Sequence, residues 1–207
     1  MDVAIIGSGN VGTALAHSAA KAGHSVTISS RDTEEAKRLA ESVGGRAVDT
    51  NEEAVRRADV AFLAVPAKVV VDVAAELGDA AHDKVLVDVT NRPTPDPDRG
   101  AGTSIAEEVQ ARAPEAHIIK AINTVFAARQ ADPEIGGTPA DGYVAGDDED
   151  AKKTVLSFVK SIGLTPYDVG PLAAARTLEG MAWIHISLAQ KHDWPWQSAW
   201  KIVGPKG

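Results

Sequence analysis

Apolar positions along the chain follow two alternating rhythms. Some form short, mostly apolar runs: Asp2 to Ile6, Ser25 to Ser29, Asp59 to Val65, Lys84 to Thr90 and His117 to Ile122. Such runs are expected of strands buried on both faces. Between them, apolar residues recur with helical spacing, as in Ala36, Leu39, Ala40 and Val43, or Val155, Phe158, Val159 and Ile162. The pattern predicts helices over 13–22, 32–43, 52–58 and 68–77, then one from Ser104, one from the acids at 147–150 to Ile162, and a long segment over 172–192. Gly23, Gly44-Gly45 and Gly163 are their stops. Residues 128–141 read as irregular, and Leu164 to Val169, which contains Pro166, as an edge strand. Alternation of this kind predicts an α/β domain over 1–170, built on a mainly parallel, doubly wound sheet. Residues 171–207 follow as a C-terminal helical appendage.

The first strand runs into Gly7-Ser8-Gly9-Asn10-Val11-Gly12, a G-x-G-x-x-G placed between strand and helix, with a second strand after the helix. That context makes it a dinucleotide-binding signature of the Rossmann type. Gly7 allows the tight turn, Gly9 lets backbone approach a pyrophosphate, and Gly12 lets helix and strand pack closely. The helix N-terminus then offers free N–H groups to the anion. At the end of the second strand stand Ser29-Ser30-Arg31, where NAD-binding folds usually carry an acid for the ribose hydroxyl. Hydroxyls and a guanidinium suit a 2′-phosphate instead, so NADP(H) is the expected cofactor. The alternative gives Asp32 the ribose role and makes the cofactor NAD. Asp32 is better placed as a helix N-cap, with Glu35 completing a capping box.

Composition narrows the remaining possibilities. There is no cysteine among the 207 residues, so disulfides and thiolate chemistry are excluded. That absence and a start directly in a core strand fit a cytoplasmic protein without a signal peptide. A net charge of −8 opposes binding to nucleic acid or an anionic membrane. No apolar run approaches the roughly 18 residues of a membrane span. The six histidines are scattered without metal-ligand spacing, and no G-x-S-x-G occurs.

Further candidate positions follow strand ends, where ligand crevices of open α/β sheets lie. Ala64, Val65 and Pro66 close one strand, and Asn123 to Ala127 follow another. The stretch from Asn91 to Gly102 holds three prolines and reads as a flap over a substrate. All four tryptophans fall in the last 25 residues. They stack on a ring-shaped substrate or, as we favour, form a homodimer interface. A nicotinamide transfers hydride chiefly by positioning, so no dedicated acid is required if the acceptor is itself a redox ring. A ketone or imine would need a proton donor, for which Asp88, Glu179 and His185 are candidates.

In several segments the chain resembles the NADPH-dependent coenzyme F420 reductases. They are the glycine turn, Ser29-Ser30-Arg31, Lys120 to Ala127, Ala145-Gly146-Asp147-Asp148 and Asp168 to Leu172. The cytosolic domains of six-transmembrane metalloreductases are similar. The resemblance implies hydride transfer between NADP(H) and coenzyme F420 or a flavin-like co-substrate. It implies that Ser30 and Arg31 hold the 2′-phosphate and that Ser8, Gly9, Asn10 and Val11 line the pyrophosphate. Ala64, Val65 and Pro66 would flank the ribose and nicotinamide, Asn123 would stand beside the nicotinamide, and Ala127 backbone groups would read its carboxamide. Asn123 stands where some members have His, the loop at 92–102 is shorter than theirs, and Lys37 is not aligned with their phosphate-binding lysine. Alternatives are reduction of a small carbonyl or imine, and a module that senses NADP(H) without turnover.

Overall fold

The computed structural model describes residues 1–92 and 102–204. Most of the proline-rich stretch read as a flap lies outside them. In chain order the elements are β1 (Asp2–Ile6), α1 (Asn10–Lys21), β2 (Ser25–Ser29), α2 (Thr33–Val43), β3 (Arg46–Ala47), α3 (Asn51–Arg57) and β4 (Val60–Leu63). Then come α4 (Val70–Glu76), β5 (Val85–Asp88), α5 (Ile105–Arg112), β6 (His117–Ala121) and α6 (Ala127–Ala131). The chain continues through β7 (Glu134–Ile135), β8 (Thr138–Pro139), β9 (Asp141–Gly146), α7 (Glu149–Ser161), β10 (Thr165–Asp168) and α8 (Ala175–Lys191).

Eight strands form one sheet in the order β10-β9-β6-β5-β4-β1-β2-β3, parallel except where β9 runs against β6. The winding reverses between β1 and β4, which is the switch point where such sheets open a crevice. Register brings the strand ends level there. Ile6 pairs with both Ser29 and Leu63, and Leu63 with Asp88. Gly7, Ser30, Ala64 and Val89 therefore leave the sheet along one rim.

Unbroken apolar strands feed two cores because successive side chains point to opposite faces. Val3, Ile5 and Phe62 join Leu15, Leu39 and Phe158 on one side. Ala4, Ile6 and Leu63 join Val55, Val70 and Val109 on the other. Phe62 and Phe158, both fully buried, lie with ring centroids 4.6 Å apart. Each such side chain stabilises the fold by roughly 1.5–3 kcal/mol.

Two glycines of the turn are sterically required. Gly7 has φ +110°, and a Cβ there would stand 2.4 Å from the Ala64 carbonyl oxygen. A Cβ on Gly12 would stand 2.0 Å from the Gly7 carbonyl oxygen, so only glycine lets α1 pack onto the turn.

The structure corrects some local expectations. Asp32 does cap α2 through the Glu35 N–H at 2.9 Å, but the Glu35 carboxylate leaves the capping box for Ser8. Thr50 caps α3, which begins at Asn51 rather than at Glu52, and Asn51 accepts a hydrogen bond from Ser29 Oγ. The helix expected from Lys68 begins at Val70. Residues 128–141, read as irregular, contain most of α6 and the β7–β8 hairpin. The Ser104–Glu107 capping box is formed in full.

The tail packs onto the sheet through Leu172 and Ala175, which belong to the second core. At its end Lys201 Nζ lies 2.8 Å from the fully buried Asp141 carboxylate, which also accepts the Ile202 N–H. No helix among the described residues is long and apolar enough to cross a membrane.

Candidate functional site

Along the level strand ends lies a cleft of about 920 Å³. Gly7, Ser8, Gly9, Asn10 and Val11 line it from the turn, Ser30 and Arg31 from the end of β2, and Ala64, Val65 and Pro66 from the end of β4. These positions, chosen from the sequence, come together in one place. Gly12 lies in the first turn of α1 and serves packing.

The cleft fits an anionic dinucleotide on two local observations. Among the described residues no side chain caps α1, whose N-cap is Gly9. Its first N–H groups therefore remain available to an anion. A Cβ built on Gly9 would meet nothing within 4 Å, so the backbone there faces open space. Arg31 is exposed on the same wall.

Glu35 is a wall residue that local sequence rules misassign. Ser8 Oγ donates to its Oε2 at 2.8 Å, and Ser8 Oγ and Ser30 Oγ are also 2.8 Å apart. The three side chains form one short hydrogen-bonded row across the end of β2.

Asn123 and Ala127 lie in a second, smaller cavity of about 120 Å³. It adjoins the cleft, since Val11, Val89 and Asn91 line both. The backbone reaches it through Ile122, whose φ is +62°. That region is costly for a β-branched residue, and such strain collects at functional sites. Asn123 is held from two sides. Its Nδ2 donates to Asn91 Oδ1 at 2.9 Å and to the Leu178 carbonyl at 3.0 Å, while Asn91 Nδ2 donates to the Asn123 carbonyl. Asn123 Oδ1 is left without a partner among the described residues, as are Thr124 Oγ1, Gln130 Oε1 and His185 Nδ1. All four residues line this cavity and are buried. Unpaired buried groups cost roughly 1–3 kcal/mol each, so this wall offers hydrogen-bonding positions that a polar guest could fill.

The three candidate proton donors separate clearly. Lys120 Nζ, fully buried, donates to Asp88 at 2.8 Å, to Glu179 at 3.1 Å and to the Thr90 carbonyl at 2.7 Å. Asp88 and Glu179 are thus fixed as ion-pair partners that tie β5, β6 and α8 together. His185 remains. Its ring stacks on Phe126 at 4.1 Å, and its Nε2 lies 2.7 Å from Ser198 Oγ. Burial lowers its pKa from the ordinary histidine value, which favours the neutral ring. Among the described residues no group of three or more His, Asp or Glu could hold a metal ion.

Known proteins resemble this chain along its length. The family model described as NADP oxidoreductase, coenzyme F420-dependent, matches residues 2–92. The F420-dependent NADP reductase of Methanothermobacter marburgensis is 30% identical over 93% of this chain and 94% of its own. The metalloreductase STEAP3 of Rattus norvegicus is 34% identical over 86% of this chain, which spans only 36% of that relative's length. A solved structure of a proposed F420-dependent NADP-reductase from Arthrobacter sp. FB24 superposes with a TM-score of 0.81 at 26% identity. It covers 92% of this chain and 94% of its own. With its Rossmann-type sheet, its glycine turn and a relative matched from end to end, the chain belongs to the F420-dependent NADP reductase family of oxidoreductases.

Proposed function

We propose that this protein transfers hydride between NADP(H) and a deazaflavin of the coenzyme F420 type, or a flavin-like ring. The observation that carries this reading is the uncapped N-terminus of α1, which opens with Gly9 onto the cleft that also holds Ser30 and Arg31. Ser8 to Val11 would hold the pyrophosphate, and Ser30 and Arg31 the 2′-position. Ala64, Val65 and Pro66 would flank the ribose and nicotinamide. Asn123, clamped by Asn91 and the Leu178 carbonyl, would stand beside the nicotinamide, with the Ala127 backbone near its carboxamide. The dinucleotide supplies the hydride. The residues of this chain bind, orient and exclude water, which suffices when the acceptor is a redox ring.

One observation favours a second reading, reduction of a small carbonyl or imine. His185 is the single candidate donor free of an ion pair, and it shares the small cavity with Asn123. Steady-state oxidation of NADPH with F420, FMN and a panel of ketones and imines separates the readings. Turnover with F420 or FMN alone supports the first. Turnover with ketones or imines alone overturns it. Tight NADPH binding without any turnover would make the protein a sensor.

A further inference from the structure

We propose that Glu35 is a specificity-determining residue at the 2′-position of the dinucleotide. It weakens the preference for NADP(H) and lets NAD(H) compete. This rests on the placement of the dinucleotide given above. Each serine hydroxyl has one hydrogen to donate. Ser8 gives its hydrogen to Glu35 Oε2 at 2.8 Å. The 2.8 Å contact between Ser8 and Ser30 must then carry the Ser30 hydrogen towards Ser8 Oγ. Both hydroxyl hydrogens of this wall are directed along the row to the carboxylate, and neither faces the cleft.

A 2′-phosphate seated here would have to capture those hydrogens for itself. Glu35 would then lose its donor and stand as an unpaired carboxylate beside a dianion, on the wall that Arg31 also lines. A ribose 2′-hydroxyl makes no such demand, because it can donate to a carboxylate or to a serine oxygen. A carboxylate near the end of the second strand is how folds of this class hold that hydroxyl. In this chain the carboxylate comes from the first turn of α2 and is drawn back to the strand end by Ser8. Asp32 does not compete for this role, since its carboxylate is engaged as the cap of α2.

The test is direct titration of the whole protein with NADPH and with NADH, followed by nicotinamide fluorescence, so no acceptor is needed. The parent should bind both. Glu35→Gln keeps an acceptor for Ser8 and removes the charge. It should raise the NADPH-over-NADH preference by about tenfold, the effect of one nearby charge at a partly solvated site. Ser8→Ala frees the Ser30 hydrogen but leaves the charge, and should raise the preference by clearly less than Glu35→Gln does. An unchanged preference in Glu35→Gln overturns the proposal. So does an equal rise in Ser8→Ala, which would trace the effect to the row's geometry rather than to the carboxylate. If the parent binds neither dinucleotide, the placement in the cleft fails and the proposal falls with it. That result is distinct from binding with an insensitive ratio.

Discussion

At the scale of single residues, the glycine turn is the part of the site most fully legible in the sequence, because its constraints are local. Gly7 is confined by a positive φ and by the Ala64 carbonyl. Gly7→Ala should therefore lower stability in urea unfolding by about 1–3 kcal/mol even without cofactor. An unchanged midpoint would mean that the turn relaxes freely. Arg31 makes its contribution only to a ligand. Arg31→Ala should weaken NADPH by about 1.5–3 kcal/mol, the worth of one hydrogen bond to a charged group, and leave NADH almost unaffected. Equal losses for both dinucleotides would remove Arg31 from the 2′-position. Glu35 was not legible, and the reason is physical. The sequence Asp32-Thr33-Glu34-Glu35 satisfies the local rule for a capping box, but a glutamate side chain is long enough to choose between its own helix start and a neighbour. The neighbour is Ser8, 27 positions away, and only the folded β1–α1 turn brings it within reach.

At the scale of elements, the strands are legible in the sequence because burial on both faces leaves mostly apolar runs. The helices are legible where caps and glycine stops punctuate them. The region after Ala127 is not. Its short helix and two-residue strands carry too few residues for any period to show, and they are held by contacts such as Ser18 Oγ to the Gln130 carbonyl at 2.6 Å. The docking of α8 was also hidden, since its polar anchors look like surface residues in sequence. Arg176 Nε donates to Glu107 Oε2 at 2.8 Å and fastens α8 to the capped start of α5. The guanidinium holds the Glu107 carboxyl down at about 2, below its ordinary 4.5. A depressed carboxylate contributes stability above its unfolded pKa and loses it as pH falls through the folded value. The contribution should be complete above roughly pH 5 and disappear towards pH 2. Glu107 is partly exposed and Arg176 more so, which screens the pair, so about 1–2 kcal/mol is expected. Arg176→Met should lower stability at neutral pH by that amount and flatten the acid limb of the stability curve. An acid limb parallel to the parent's would show that the pair contributes nothing.

At the scale of the whole molecule, the tryptophan-rich tail divides its rings between two tasks. Trp200 turns inward, edge-on to His185 at 5.6 Å, and Trp196 meets Phe126 edge-on at 5.1 Å, so both brace the wall of the small cavity. Trp194 is 44% exposed, Trp196 keeps 48% of its surface exposed despite meeting Phe126, and Ile184 on α8 is 52% exposed. Large apolar side chains left in water at one end of a chain fit a partner surface. We propose a homodimer formed through this end, in which case subunit association and the cavity around Asn123 share a structural element. The rings that brace the cavity are poor sites to test this, because changing them disturbs the site as well. Ile184→Glu and Trp194→Ser place polar groups where the proposed interface would be desolvated and touch neither the Asn123 clamp nor the glycine turn. Sedimentation velocity at micromolar concentration should show a dimer for the parent and a monomer for the double variant, with NADPH affinity retained. A monomeric parent, or a double variant that stays dimeric, would reject the tail as the interface. A monomeric variant with full affinity would show that the cleft is complete within one chain.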